Sequence, residues 1–132
     1  MFQIEVAAAI IIANQSVLIA QRPLNKHKGG LWEFPGGKIE SGESDLAALK
    51  REIAEEINLT IDEARLVEEI HYQYPEKEVV LKFFQVTQFY GDAKGLEGQP
   101  VRWVPIGDLE QFDFPEANQP IVEKLMSGEL AG

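Results

Sequence analysis

No cysteine occurs in the 132 residues. That excludes a disulfide framework, a thiolate metal site and a cysteine nucleophile, so any metal must be held on oxygen or imidazole. Positive charge is also scarce. Twelve Lys and Arg face twenty-two Asp and Glu, for a formal net charge of -10, which opposes the counterion release that holds proteins on long nucleic acids. A duplex or tRNA partner is therefore not expected. A small phosphorylated substrate is compatible with this charge if cations stand between its phosphates and the carboxylates. Long apolar runs are missing too: Val6 to Ala13 falls far short of the roughly 20 residues that span a bilayer. No basic residue precedes Arg22, so a secretory signal lacks its positive end. The expectation is a soluble, cytoplasmic monomer with no membrane partner.

An apolar fraction of 45% is enough for one core, and residues 1-132 read as one domain without repeats or linkers. Ile4 to Ala13 and Val17 to Gln21, largely β-branched and separated by Asn14-Gln15-Ser16, read as a hairpin. Trp32-Glu33-Phe34 reads as a short strand that Pro35-Gly36-Gly37 must break. From Ser44 to Ile57 the period becomes helical, with Leu46, Leu49, Ile53 and Ile57 on one stripe. Ser44 or Ser41 suits its start and Asn58 its end. Leu66 to Tyr74 and Val79 to Gln88 suggest a second hairpin around Pro75-Glu76-Lys77, and Val101 to Val104 a further strand. A last helix is expected near Pro115-Glu116, sending Ile121, Val122, Leu125 and Met126 to the core.

The central helix carries the chemistry. At about 100° per residue, Glu52, Glu55 and Glu56 share roughly one third of its circumference, beside the apolar stripe. Like charges three and four residues apart cost a few tenths of a kcal/mol per pair unless a cation offsets them. A glutamate-rich face is often merely solvated. If it holds a metal, an oxygen-rich set suits Mg2+, with Mn2+ as a substitute.

The surroundings of this cluster are informative. Gly37, Glu43, Arg51, Glu52, Ile53, Glu55, Glu56 and Leu59 fall on the pattern G-x5-E-x7-R-E-U-x-E-E-x-G-U, where U is a bulky aliphatic residue. The segment resembles the Nudix box, departing from it where Asn58 replaces glycine, a mild change because asparagine tolerates positive φ. Trp32 to Glu40, Glu97-Gly98-Gln99 and Phe114 to Ile121 extend the resemblance to the MutT branch of that family over nearly the whole chain.

The resemblance implies an α/β fold, the Nudix α/β/α sandwich with a mixed β-sheet between helices. It also implies Mg2+-dependent hydrolysis of 8-oxo-dGTP to 8-oxo-dGMP and pyrophosphate, sanitising the nucleotide pool. Carried over residue by residue, Glu52 and Glu56 are expected metal ligands, with Glu55, Glu97 and the Gly37 carbonyl completing the set. Arg51 and Glu43 would position the carboxylates, Arg51 restraining Glu52 by a charge-assisted bond. Glu56 and Glu97 compete for the role of general base. Arg22, Phe34, Gly36, Gly37 and Lys38 would contact the nucleotide. Asn118 would read the base edge, or else cap the last helix. Two alternatives stand beside this reading: another nucleotide, such as a pyrimidine triphosphate, and a module that binds without cleaving. His27 and His71 receive no role, Trp103 and Phe112 are expected in the core, and Tyr72 and Tyr74 are left unassigned.

Overall fold

The computed structural model describes residues 2–25 and 29–130, so the expectation for His27 lies outside the described residues. The chain runs β1 (Phe2–Ala13), β2 (Ser16–Gln21), β3 (Trp32–Glu33), β4 (Gly36–Lys38), α1 (Asp45–Ile57), β5 (Thr60–Gln73), β6 (Lys77–Tyr90), β7 (Val101–Pro105) and α2 (Gln119–Met126). Two 3-10 segments, Ile106–Gln111 and Glu116–Asn118, lie between β7 and α2.

The hairpin between β1 and β2 turns on Asn14 and Gln15, both at positive φ (51° and 63°). Such a turn matches the right-handed twist of the strands it joins. β1 then runs parallel to β6 from Phe2↔Lys77 to Ile11↔Val86, while β5 and β6 form the long antiparallel hairpin. The sheet is therefore mixed, as expected.

Alternation along β1 decides which helix covers which face. Ala7, Ala9 and Ile11 pack with Leu49, Ile53 and Ile57 of α1. Ala8 and Ile10 point the other way, into a cluster with Ile121, Val122 and Leu125 of α2. One strand thus serves two cores, with a helix on each side of the sheet.

β1 and β2 are paired only next to their turn, at Ile12↔Val17 and Ala13↔Ser16. The chain from Trp32 to Lys38 fills the opening between them. Trp32 and Glu33 pair with β2, Ala9 N–H donates to Pro35 O at 2.8 Å, and Gly36 to Lys38 pair with Ala8, Ala7 and Val6. β3 ends at Glu33, so the strand does break before Gly36 as expected, but Gly36 and Gly37 are themselves extended and open β4, paired with β1. Gly36 can pair there because it lacks a side chain: a Cβ there would lie 2.0 Å from Ala7 O.

Three further expectations need correction. The last helix begins at Gln119 after one 3-10 turn, not near Pro115. Met126 is 40% exposed, since it follows Leu125 around the outer face of α2. Trp103 is 39% exposed, lying on a strand paired with β2 alone and stacking on Phe89 at 6.2 Å. Phe112 is partly buried, edge-on to Trp32 at 5.5 Å. No helix among the described residues is long and apolar enough to cross a membrane.

Candidate active site

α1 is fixed at both ends by its own sequence. Ser44 Oγ accepts from Ala47 N at 3.1 Å, satisfying a free N-terminal donor. Asn58 takes the left-handed conformation (φ 66°) just past the last turn and donates from Nδ2 to Asp92 O at 3.2 Å. Burial of Leu49, Ile53 and Ile57 on the sheet leaves Glu52, Glu55 and Glu56 along the rim of the helix.

Arg51 organises this rim. Its Nε and Nη2 donate to the two oxygens of Glu43 at 2.6 and 2.9 Å, and Nη1 donates to Glu52 Oε1 at 2.8 Å. Nη2 also reaches Lys38 O at 3.2 Å, tying the helix to the end of β4. The Arg51 guanidinium, helped by the Glu40 backbone N–H, holds the Glu43 carboxyl down to a pKa of about 2. Glu43 is therefore a lasting anion and a fixed anchor for Arg51. Glu55 stands 3.6 Å from Arg51 Nη1 and is 58% exposed.

Gly37 lies directly against Glu52, since a Cβ on it would come 2.3 Å from the Glu52 carboxylate. The Glu52 carboxylate can rest in this position against β4 only because residue 37 has no side chain.

The last carbonyls of α1 lack partners within the helix, and residues 94–99 supply them. Lys94 and Leu96 donate their N–H groups to Ile57 O and Glu56 O at 2.8 and 2.9 Å. Gln99 Nε2 donates to Glu56 O at 3.0 Å, while Gln99 Oε1 accepts from Glu97 N at 2.9 Å. This is what the Glu97-Gly98-Gln99 segment does locally: the amide of Gln99 clamps the loop to the helix end, and Glu97 comes to stand beside Glu56. Burial is the main cause that pushes the Glu56 carboxyl up to about 8, with Glu52, Glu97 and Glu33 adding to it. Carboxylates crowded this closely cannot all hold negative charge at neutral pH without a cation.

As the side chains stand, no three His, Cys, Asp or Glu among the described residues form a ready-made metal cluster; Arg51 draws Glu52 and Glu55 toward itself. The donor chemistry nevertheless fits a hard divalent cation, with all-oxygen groups, mutual repulsion and a glycine pressed against one carboxylate.

On the opposite side of β4 from α1 opens a cavity of about 260 Å³. All six nucleotide-contact candidates, Arg22, Phe34, Gly36, Gly37, Lys38 and Asn118, line it. Its floor is the face of β1 bearing Ile4, Val6 and Ala8. Phe34 is buried, stacked on Phe114 at 5.5 Å and edge-on to Phe83 at 6.2 Å. Asn118 precedes α2 but makes no side-chain capping bond, so the capping alternative is not realised.

The sequence left two parts of this wall unassigned. Tyr72 and Tyr74, on alternate positions of one strand, line the cavity with ring centroids 4.9 Å apart, and the Lys77 ammonium stands 5.9 Å from the Tyr74 ring. Glu33 lines both this cavity and a smaller cleft of about 100 Å³ that holds Glu56 and Glu97. Burial raises the pKa of Glu33, opposed by Arg22, which donates to it at 2.8 Å. The only available signal was an acid between two aromatics in a predicted strand. His71 lies away from the cavity, bonded to Glu69 at 2.8 Å.

The geometry can be compared with known proteins. The family model for the NUDIX domain matches residues 6–124. The chain is 37% identical over 126 residues to an 8-oxo-dGTP diphosphatase of Escherichia coli, covering 95% of this chain and 98% of that one. It is 34% identical over 127 residues to a CTP pyrophosphohydrolase of the same organism, covering 96% and 94%. A solved MutT structure from work on Aliivibrio salmonicida and Vibrio cholerae superposes with a TM-score of 0.84 at 40% identity, covering 96% of this chain and 98% of that one. With the box on α1 and its glycine on β4, and with these relatives matching it from end to end, the chain belongs to the Nudix family and its MutT branch.

Proposed function

We propose that this single Nudix domain hydrolyses 8-oxo-dGTP to 8-oxo-dGMP and pyrophosphate as a cytoplasmic monomer, removing a mutagenic precursor from the nucleotide pool. The observation that carries the reading is the position of Asn118. Its amide caps nothing and lines an aromatic cavity that shares Glu33 and Gly36 with the carboxylate cleft. A base in the cavity would thus have its phosphates directed toward α1.

Phe34 offers an apolar wall to the base, and the Asn118 amide supplies one donor and one acceptor. A base with the wrong edge leaves one of them unpaired, at a cost of about 1 to 3 kcal/mol. Arg22 and Lys38 place positive charge near the nucleotide, in a chain that has little to spare. Glu52 and Glu56, with Glu55, Glu97 and the Gly37 carbonyl, would hold Mg2+ or Mn2+. When bound, the cation neutralises phosphoryl charge and acidifies a water. Arg51 keeps Glu52 oriented. Water adds to one phosphorus of the α–β anhydride, the P–O bond to the bridging oxygen breaks to give the monophosphate and pyrophosphate, and the water's proton passes to Glu56 or Glu97, which share one cleft.

The test is kcat/KM for 8-oxo-dGTP against dGTP, with Mg2+ and with chelator. A clear preference for the oxidised nucleotide, lost with chelator, is expected. Equal values would remove the specificity, and faster turnover of CTP would favour the second reading, which the pyrophosphohydrolase relative supports.

A further inference from the structure

The cavity is walled on one side by the free end of the β5–β6 hairpin, through Tyr72, Tyr74 and Lys77, and on the other by the 3-10 turn Glu116–Asn118 that precedes α2. These two walls belong to different parts of the chain and share no sheet hydrogen bonds. They are joined directly across the cavity mouth: the Tyr72 hydroxyl donates to Glu116 Oε2, across 44 residues of sequence. Tyr72 is itself held by its ring contact with Tyr74. Two residues beyond Glu116 stands Asn118, whose own N–H donates to Pro115 O at 2.9 Å and whose side chain has no capping bond to steady it.

From this arrangement we infer that Tyr72 and Glu116 form a latch that sets base selectivity, fixing the Glu116–Asn118 turn against the hairpin so that the Asn118 amide meets the base edge in one position. The inference rests on the proposed role of Asn118. Tyr72 turns its ring to the cavity while Glu116 stands outside its lining; the bond between them acts through Asn118, so in the latch both are positioning residues. The physical reason is the short tether. A single 3-10 turn has poor hydrogen-bond geometry and little rigidity of its own, yet discrimination by an amide requires the donor and acceptor to be held to within a fraction of an ångström. A charge-assisted bond from the opposite wall supplies that restraint.

Tyr72→Phe keeps the ring and its packing on Tyr74 and removes only the hydroxyl. Glu116→Ala removes the acceptor, and Glu116→Gln retains one. The expected result is a KM for 8-oxo-dGTP raised by roughly 3- to 10-fold in Tyr72→Phe and Glu116→Ala, with kcat within about 2-fold because the carboxylate rim on α1 is untouched. The preference over dGTP should narrow by a similar factor. The double variant should be no worse than either single one, and Glu116→Gln should recover most of the loss. A second measurement is independent of any substrate: hydrogen exchange at the Asn118 amide should speed up by a comparable factor in Tyr72→Phe. Unchanged exchange together with unchanged KM overturns the latch, as does a fall in kcat shared equally by all nucleotides. If the wild-type protein proves not to prefer 8-oxo-dGTP, the substrate reading fails by itself, and the exchange experiment still decides whether the latch exists.

Discussion

Gly37 and Glu52 stand so close that a single methyl group cannot be placed between them: a Cβ on Gly37 would lie 2.3 Å from both Cδ and Oε2 of Glu52. The atoms in conflict are the end of a side chain and not backbone, so the chain can absorb the change by turning Glu52 away. Gly37→Ala is therefore expected to fold with a Tm within about 3 °C of wild type, since it costs well under 1 kcal/mol. Its kcat should drop by roughly 100-fold, as a ligand displaced by about 1 Å does. Thermal unfolding and steady-state kinetics on the same preparation separate the two effects. A folded variant with an unchanged kcat would show that Glu52 is not held by this contact.

The Glu56 carboxyl gives a prediction with a definite sign. Its pKa is raised to about 8 in the folded protein, above the ordinary carboxylate value of about 4.3. Between those limits the folded state binds a proton that the unfolded state has lost, so without metal this group makes the protein less stable as pH rises from about 5 to 8. Mg2+ should reverse the trend by taking the place of the proton. Glu56→Gln is expected to flatten the metal-free Tm profile over that window and to abolish the Mg2+-dependent rise. Parallel profiles for variant and wild type would place the repulsion elsewhere.

At Asn58 the departure from the box pattern becomes a stability experiment. Asn58→Ala must hold φ 66° without asparagine's tolerance for it and loses the bond to Asp92 O, a combined cost of about 1 to 2 kcal/mol in urea unfolding. Asn58→Gly restores conformational freedom while losing the same bond, and should fall within about 0.5 kcal/mol of wild type. If both variants were equally destabilised, the bond and not the backbone conformation would dominate.

Asn118→Ala should leave Tm unchanged, because no capping bond is lost. Binding of 8-oxo-dGMP should weaken by roughly 10- to 100-fold, the range for one unpaired amide. Calorimetric titration beside a melting curve distinguishes the two roles. A loss of stability of about 1 kcal/mol with affinity intact would return Asn118 to the helix cap.

What could be read in advance follows the range of the interactions. α1, its Ser44 and Asn58 ends and its acidic rim were legible because each depends on residues within four positions along the chain. The route of Gly36 to Lys38 was not, since two glycines in isolation signal a break; only the backbone of Ala7 and Ala8 makes them a strand. Trp103 looked like core because large aromatics usually are, whereas its exposure follows from β7 having a sheet partner on β2 alone. The six nucleotide-contact candidates came from resemblance, and the structure places them around one cavity. Tyr72 showed an alternating pattern with Tyr74, but nothing local announced that its partner would be Glu116.

The way β1 divides its side chains has a consequence for how such a protein can change. Ile4, Val6 and Ala8 form the floor of the cavity proposed for the nucleobase, while Ala7, Ala9 and Ile11 seat the acidic helix. Exchanging residues of one parity can remodel what the molecule recognises and leave the hydrolytic apparatus undisturbed. Inserting or deleting one residue in this strand would do the opposite, transposing the two sets and ruining both functions together.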